Sequence, residues 1–404
     1  MPGSAKSAGS VKTRSVIVAG ARTPIGRFQG GLSPFSAMEL GGFAIKAALE
    51  RAGVAADRVD YVYMGQVLQA GTGQISARQA AANAGIPMSV PSTTVNKVCL
   101  SGLNTIILAD QLISSGEADI VVAGGMESMT NAPYLLPNAR AGFRIGDGAV
   151  VDSMMFDGLT CAFDHVAMGA GTERDAAKEG LARLNMDEVA ARSHERAAAA
   201  QKDGRFDAEI VPVSVAQRRG DPLIIEADEG IRPGTTAESL AALRGAFGGA
   251  GNVTAGNASQ ISDGAAAVVM MSEAAAVRLG VTPLGRVVSF GMVAGPDPGL
   301  LHQPSRAIKR ALERAGLSVG DMDLFEMNEA FAAVALASTV DLGVSDDIVN
   351  VNGGAIALGH PIGASGTRLA LTLLHELGRR GGRYGAAALC GGGGQGDAVV
   401  FAAG

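Results

Sequence analysis

Apolar and polar positions follow one pattern twice along this chain. Ala44-Ile-Lys-Ala-Ala-Leu-Glu-Arg-Ala-Gly53 and Ala307-Ile-Lys-Arg-Ala-Leu-Glu-Arg-Ala-Gly316 agree at nine of ten positions. Apolar residues recurring at helical spacing predict an amphipathic helix in each copy, stopped by a glycine suited to a left-handed C-cap. An acidic turn and a short strand follow each time, Asp60-Tyr-Val-Tyr-Met64 and Asp323-Leu-Phe-Glu-Met327. The same offset, 263 to 264 residues, lays Ser101-Gly102 on Ser365-Gly366, just inside two further helices, 103–113 and 367–377. Apolar strands at 120–123 and 386–389 come next, and both run into glycines. Two βαβαβ halves of this kind predict a duplicated α/β fold: layered halves with pseudo-twofold symmetry and largely parallel, covered sheets.

The pattern breaks between 126 and 251. Charge, Met and Pro become more frequent, and one long polar helix is expected near 186–202. This stretch reads as an inserted domain, of the kind that forms a ligand wall at a sheet's edge. Asn252-Val-Thr-Ala-Gly256 and 265–271 read as a returning strand and helix. The expected division is an N-terminal half, 1–125, completed by about 252–275; an inserted loop domain, 126–251; and a C-terminal half, 276–404.

Composition narrows the classes. A chain of 404 residues exceeds one ordinary core, and only 18% of it is charged against 47% hydrophobic. Much surface is therefore committed to cores or subunit contacts. A net charge of −6 with no basic stripe argues against nucleic acid. No run approaches the roughly 18 apolar residues of a membrane span. The start, Met1 to Thr13, has no apolar signal core and reads as a loose tail. The last residues carry no peroxisomal address. Cys99, Cys161 and Cys390 form no C-x-x-C pair, which points to a reduced compartment, the cytoplasm.

Candidate chemistry sits at the repeated strand–helix junctions. Cys99 follows an extended segment and opens a helix, where dipole and free N–H groups favour a thiolate. The competing reading is a small buried apolar residue. His360 precedes Pro361 among glycines at the start of the matching helix, so it could meet Cys99 near the pseudo-symmetry axis as a Cys–His pair. Cys390 ends the last apolar strand before Gly391-Gly-Gly-Gly-Gln-Gly396, a loop able to make an oxyanion hole, a phosphate cradle or a plain turn. Asn328 lies where a strand passes into a helix, and helix capping alone would explain it. Cys161, inside the insertion, reads as structural.

Taken together, these segments resemble the thiolase family over almost the whole chain. Asn96-Lys-Val-Cys99-Leu-Ser-Gly102 looks like its nucleophile motif. Asn328-Glu-Ala-Phe331, Gly359-His360-Pro-Ile-Gly-Ala-Ser-Gly366 and Cys390-Gly-Gly-Gly-Gly-Gln-Gly396 resemble the other three active-site motifs, in order. Met64-Gly-Gln-Val and Gly124-Gly-Met-Glu-Ser-Met129 agree further. The resemblance implies that Cys99 is acylated and His360 takes its proton. Cys390 would act as acid and base, and Asn328 would hold a water that helps His360 at one thioester oxygen. The amides of Cys99 and Gly392 would make the second oxyanion hole. Arg232, Ser259 and Met168 would contact coenzyme A, which is substrate and product; no tightly bound cofactor and no metal is implied. Acyl-CoA partners and a homotetramer, a dimer of dimers, are expected.

Within the family, the segment from Arg22 through Gln79 is similar to acetyl-CoA acetyltransferases, the preferred expectation. Two departures leave a broader-range 3-ketoacyl-CoA thiolase open. Ala167 stands where acetoacetyl-specific members carry His, with His165 two positions earlier. Ser259-Gln-Ile-Ser-Asp-Gly264 looks like the degradative branch. A ketosynthase-like enzyme would lack the second cysteine, and a non-catalytic lipid-binding scaffold would have lost a motif.

Overall fold

Gly53 and Gly316 end their helices in left-handed backbone, φ 62° and 66°, as the duplicated pattern requires. The computed structural model describes residues 13–248 and 251–404; the segment read as a loose tail lies, but for Thr13, outside them. In the first half, β1 (Ser15–Arg22) leads through α1 (Ala37–Ala52) to β2 (Tyr61–Gly65), α2 (Ser76–Asn83), β3 (Ser92–Val95), α3 (Ser101–Ser114) and β4 (Ile120–Ser128). An inserted segment carries α4 (Met168–Lys178) and α5 (Arg183–Lys202) before β5 (Ser262–Ser272). The second half runs β6 (Gly285–Ala294), α6 (Gln303–Ala315), β7 (Leu324–Met327), α7 (Ala332–Leu342), α8 (Ser365–Arg380), β8 (Tyr384–Gly391) and β9 (Gln395–Ala403).

Strand order shows the duplication directly. It reads β7-β8-β9-β6-β1-β5-β4-β2-β3, with β1 and β6 meeting antiparallel at Val16–Arg286 and Ile17–Gly285. Each half repeats the other across that seam. A parallel bridge from Val349 to Phe325 takes the place that β3 holds beside β2.

Three expectations need correction. Residues 252–256, read as a strand, hold only an isolated bridge at Thr254, whose N–H donates to Asn257 Oδ1 at 2.8 Å in a turn. The sheets are mixed rather than largely parallel: β2–β3, β2–β4 and β7–β8 are parallel, and the pairings nearer the seam are antiparallel. The tight turn from β8 to β9 allows only an antiparallel hairpin. Residues 265–271 are not helical; they lie in β5, every residue of which is buried. A short apolar run cannot separate a buried strand from a buried helix by period, and three successive alanines tilted the reading the wrong way.

The two halves of this continuous sheet enclose a helical layer. Helices α1 and α2 cover the outer face of the first half, with Leu40, Ile45 and Leu49 of α1 and Ala80 of α2 in one core with Val122 and Val269. Helix α6 covers the outer face of the second through Ile308 and Leu312. Between them, Leu103 and Ile106 of α3 and Leu369 and Leu373 of α8 pack against Val121 and Val268 on one side and Leu389 and Phe401 on the other. This inner layer is close-packed at the backbone. A Cβ on Gly102 would lie 2.7 Å from the Gly363 carbonyl, and one on Gly366 would meet Leu103. The Thr367 hydroxyl donates to the Gly102 carbonyl at 2.8 Å across the crossing. Ser-Gly recurs in the sequence because this crossing needs a glycine from each helix.

The insertion is tied back by charge. Buried Arg22 of β1 donates to Glu209 at 2.9 Å and to both oxygens of Asp228 at 2.7 and 3.0 Å.

Helix α8 offers an internal comparison. Gly366→Ala should cost about 1–3 kcal/mol through overpacking. Gly378→Ala, with nothing within 4 Å of the added carbon, should be neutral or stabilising because alanine favours helix. Urea midpoints of the two variants measure the difference; equal stability would show that the crossing is not tight.

Candidate active site

Beyond β3 the chain makes one tight turn, Asn96 to Cys99, before entering α3. Val98 adopts φ 51°, a left-handed conformation that a β-branched residue rarely takes. Local bonds enforce it. Val98 N–H donates to Asn96 Oδ1 at 3.1 Å, while Ser101 Oγ accepts from Lys97 N–H at 2.8 Å and donates to the Val98 carbonyl at 2.6 Å. Strain here fixes the direction in which Cys99 leaves the turn. Sequence reading missed it, since valine carries no signal for such a turn.

The helix start does not lower the Cys99 thiol pKa as expected. Burial pushes the Cys99 thiol up to about 12, and the nearby Glu127 carboxylate adds to the shift. The backbone N–H groups of Cys99 and Gly392 oppose it by hydrogen bonding toward the sulfur. Magnitudes explain the difference: a helix dipole gives about 0.3–1 kcal/mol, less than the desolvation of a thiol that is largely shielded from water. Cys390, almost fully buried, is pushed up further, by burial first and then by neighbouring Cys99.

Asn328 is not a cap. Helix α7 begins after Phe331 without a side-chain cap, and Asn328 turns instead to His360, Nδ2 to Nε2 at 3.3 Å. Its Oδ1 is buried with no protein partner. The other ring nitrogen, Nδ1, lies 2.6 Å from Ser365 Oγ, whose single proton goes to the Pro361 carbonyl at 3.0 Å. That assignment makes Nδ1 the protonated nitrogen and leaves Nε2 with its lone pair beside Asn328. Burial, and then the charge of Arg368, hold His360 neutral, its pKa down to about 3.

Further residues brace this group. The Gln260 carbonyl and Ser262 Oγ both accept from His360 N–H at 3.2 Å. Buried Glu127 accepts from the amides of Val67, Leu68 and Gly363 at 2.9–3.1 Å, and burial lifts its pKa to about 7. Glu329 accepts from Ser193 Oγ of α5 at 2.6 Å and from Ile356 N–H at 3.2 Å, linking the insertion to the segment that leads into His360. Ser365 was findable: it is the repeat partner of Ser101, and both hydroxyls hold the turn before their own helix.

A cavity of about 690 Å³ opens beside Val98, Gly392 and Gly393, walled by Phe156, Phe163 and Met168 of the insertion. Cys161, read as structural, is buried in that wall. Arg232 and Ser259 do not line it. Arg232 is exposed, its N–H donating to His194 Nδ1 at 3.1 Å, and Ser259 N–H donates to the Ala330 carbonyl at 3.0 Å. Ala167 lies in a narrow crevice with Cys161 and Met168, and His165 is exposed. A polar groove of about 530 Å³ between α4 and α6 contains none of the candidate residues. Among the described residues, no three His, Cys, Asp or Glu side chains gather as a metal site would need.

Comparison with known families agrees with this arrangement. Residues 15–274 match the thiolase N-terminal domain and residues 281–403 the thiolase C-terminal domain. The chain belongs to the thiolase family. Relatives include a probable acetyl-CoA acetyltransferase of Mycobacterium tuberculosis, 58% identical across 97% of this chain and 100% of the relative. The acetyl-CoA acetyltransferase of Cupriavidus necator is 53% identical across 96% and 99%. That of Shinella zoogloeoides is 52% identical across 97% and 99%. These names do not favour the broader-range alternative.

Burial pushes both thiols toward the protonated form, and Cys99 is the more accessible of the two. Iodoacetamide should therefore alkylate Cys99 before Cys390, at a rate that climbs with pH from 7 to about 9 as more thiolate forms. Peptide mass mapping against pH checks this. A rate already level at neutral pH would mean that a thiolate pre-exists.

Proposed function

We propose that this thiolase is an acetyl-CoA C-acetyltransferase, condensing two acetyl-CoA molecules reversibly to acetoacetyl-CoA and coenzyme A. The observation that carries the reading is the convergence of the Cys99 and Gly392 amides on one sulfur, with a neutral imidazole whose lone pair faces Asn328. Carbon–carbon bond formation between thioesters needs a nucleophile, a base and two places for negative oxygen. Each has a candidate here.

In the first half-reaction His360 Nε2 takes the Cys99 proton as sulfur attacks the thioester carbonyl. The Cys99 and Gly392 amides receive the oxyanion, a role in which one donor is typically worth about 10²–10³ in rate. The C–S bond to coenzyme A breaks, and Cys390, protonated at rest, supplies the proton to the departing thiolate. In the second half-reaction the Cys390 thiolate removes an α-proton from a second acetyl-CoA. His360, and a water held by Asn328 Oδ1, stabilise the resulting enolate oxygen. The enolate attacks acetyl-Cys99, whose sulfur leaves and recovers its proton from His360. Protons balance over the cycle. A high resting pKa at Cys390 suits both roles, since the group must give a proton to a thiolate and later take one from carbon.

Met168 lies beside the reacting loops and suits the pantetheine arm; exposed Arg232 suits a phosphate, and Ser259 stays with it as a coenzyme A contact. Coenzyme A is then substrate and product, and the reaction as written uses no resident cofactor. Large exposed apolar groups on the insertion, including Tyr134, Ile145 and Phe156, support a homotetramer. Among the described residues no helix is long and apolar enough to cross a membrane, and free cysteines suit the cytoplasm.

Incubation with acetyl-CoA should add one acetyl mass to the peptide containing Cys99; label on Cys161 or Cys390 alone would overturn the assignment. Cys390→Ala should still acetylate Cys99 to some extent yet lose condensation, and normal condensation would remove Cys390 from the mechanism. Light scattering at micromolar concentration should report the mass of about four chains, against which a stable monomer would count.

A further inference from the structure

Lys97 and Asp397 join the two loops on which the proposed oxyanion hole depends. Lys97 belongs to the strained turn before Cys99. Asp397 lies on β9 opposite Leu389 of β8, at the base of the turn that carries Gly392. Lys97 Nζ donates to both carboxylate oxygens, at 2.7 and 2.8 Å, and Asn104 Nδ2 of α3 adds a bond at 3.3 Å. The Asp397 side chain has no exposure, whereas Lys97 keeps 22%. A buried carboxylate costs several kcal/mol to desolvate unless paired, so its charge depends on this ammonium.

Both ends of the pair are mechanically coupled to the reacting amides. The Lys97 carbonyl accepts from Leu100 N–H at 3.2 Å and its N–H is held by Ser101, so a displaced Lys97 displaces Val98 and Cys99. Across the gap the loops touch: a Cβ on Gly391 would lie 2.6 Å from Leu100, and one on Gly392 would lie 3.4 Å from Val98. One loop comes from each half of the duplicated chain, and the ion pair bridges them beside the amides.

We propose that Lys97 and Asp397 are positioning residues: their ion pair clamps the nucleophile turn against the glycine loop and sets the spacing of the Cys99 and Gly392 amides. This rests on the acyl-transfer reading above. An ordinary structural ion pair would contribute stability and nothing else. A clamp acts on groups used most strongly in the transition state, so its loss should fall on kcat rather than on KM.

The test uses Asp397→Asn, Lys97→Gln, Lys97→Arg and the Asn/Gln double variant, each assayed well below its own melting temperature. Displacing a catalytic group by about 1 Å costs on the order of 10²-fold. The expected result is a kcat lowered about 10- to 100-fold in the Asn and Gln variants, with KM within about threefold. The double variant should lose little more than either single one, because the two residues act as a unit. Lys97→Arg, which keeps the charge, should recover part of kcat. Wild-type kcat in folded variants, or losses that simply multiply in the double variant, would overturn the clamp. Acetylation of Cys99 in the unmodified enzyme is measured alongside. Its absence would refute the acyl-transfer reading itself, whereas its presence with unaffected variants would refute the clamp alone.

Discussion

The site depends on how closely two helices cross. Backbones of α3 and α8 approach through Gly102, Gly363 and Gly366, where any side chain would collide with main chain or with Leu103. Each helix begins just after a loop bearing a candidate catalytic residue, Cys99 for α3 and His360 for α8. Bringing the two N-termini together therefore brings the two loops together. A wider crossing would leave both half-sheets folded and the chemistry divided between them. Duplication supplies the geometry, since a pseudo-twofold relation between the halves makes equivalent helix starts converge.

Around that crossing, desolvation outweighs every favourable local field. Cys99 stands near a helix start, yet its proton is retained; His360 loses its own by burial, with Arg368 reinforcing the effect. Glu127 is lifted to about 7 despite accepting three amide bonds. On the proposed mechanism, a protonated thiol and a neutral imidazole avoid holding a separated charge pair in a low-dielectric setting. In the proposed reaction the thioester supplies the electrophile that draws the proton off sulfur.

Much of this was legible in sequence because the features repeat. Helix copies at 44–53 and 307–316 established the duplication, and Ser-Gly just inside both later helices extended it. Cys99 and His360 stood out by their place before the two duplicated helices, and Cys390 by ending the last apolar strand at a glycine loop. Other features were hidden for physical reasons. Residues 265–271 are buried on both faces, which erases the alternation that would identify a strand. Asn328 satisfies the composition of an N-cap, and only its approach to His360 shows where the side chain goes. Val98 is strained by bonds from Asn96 and Ser101, a conformation no residue type announces. Glu127 and Glu329 bind amides distant in sequence, which periodicity cannot reveal.

Pieces of the candidate site come from three parts of the chain. The first half supplies Cys99, the second His360, Asn328 and the Gly392 loop, and the insertion walls the cavity with Phe156, Phe163 and Met168. Such a site is only as well formed as the contacts between those parts, and buried polar contacts recur there. Arg22 joins β1 to the insertion through Glu209 and Asp228, Glu329 joins α5 to the segment before His360, and Lys97 joins the two reacting loops. Apolar packing alone would permit small slides at these seams, because it is non-directional. Hydrogen-bonded charges tolerate no such slide without exposing an unpaired group, and that intolerance gives a composite site a single geometry.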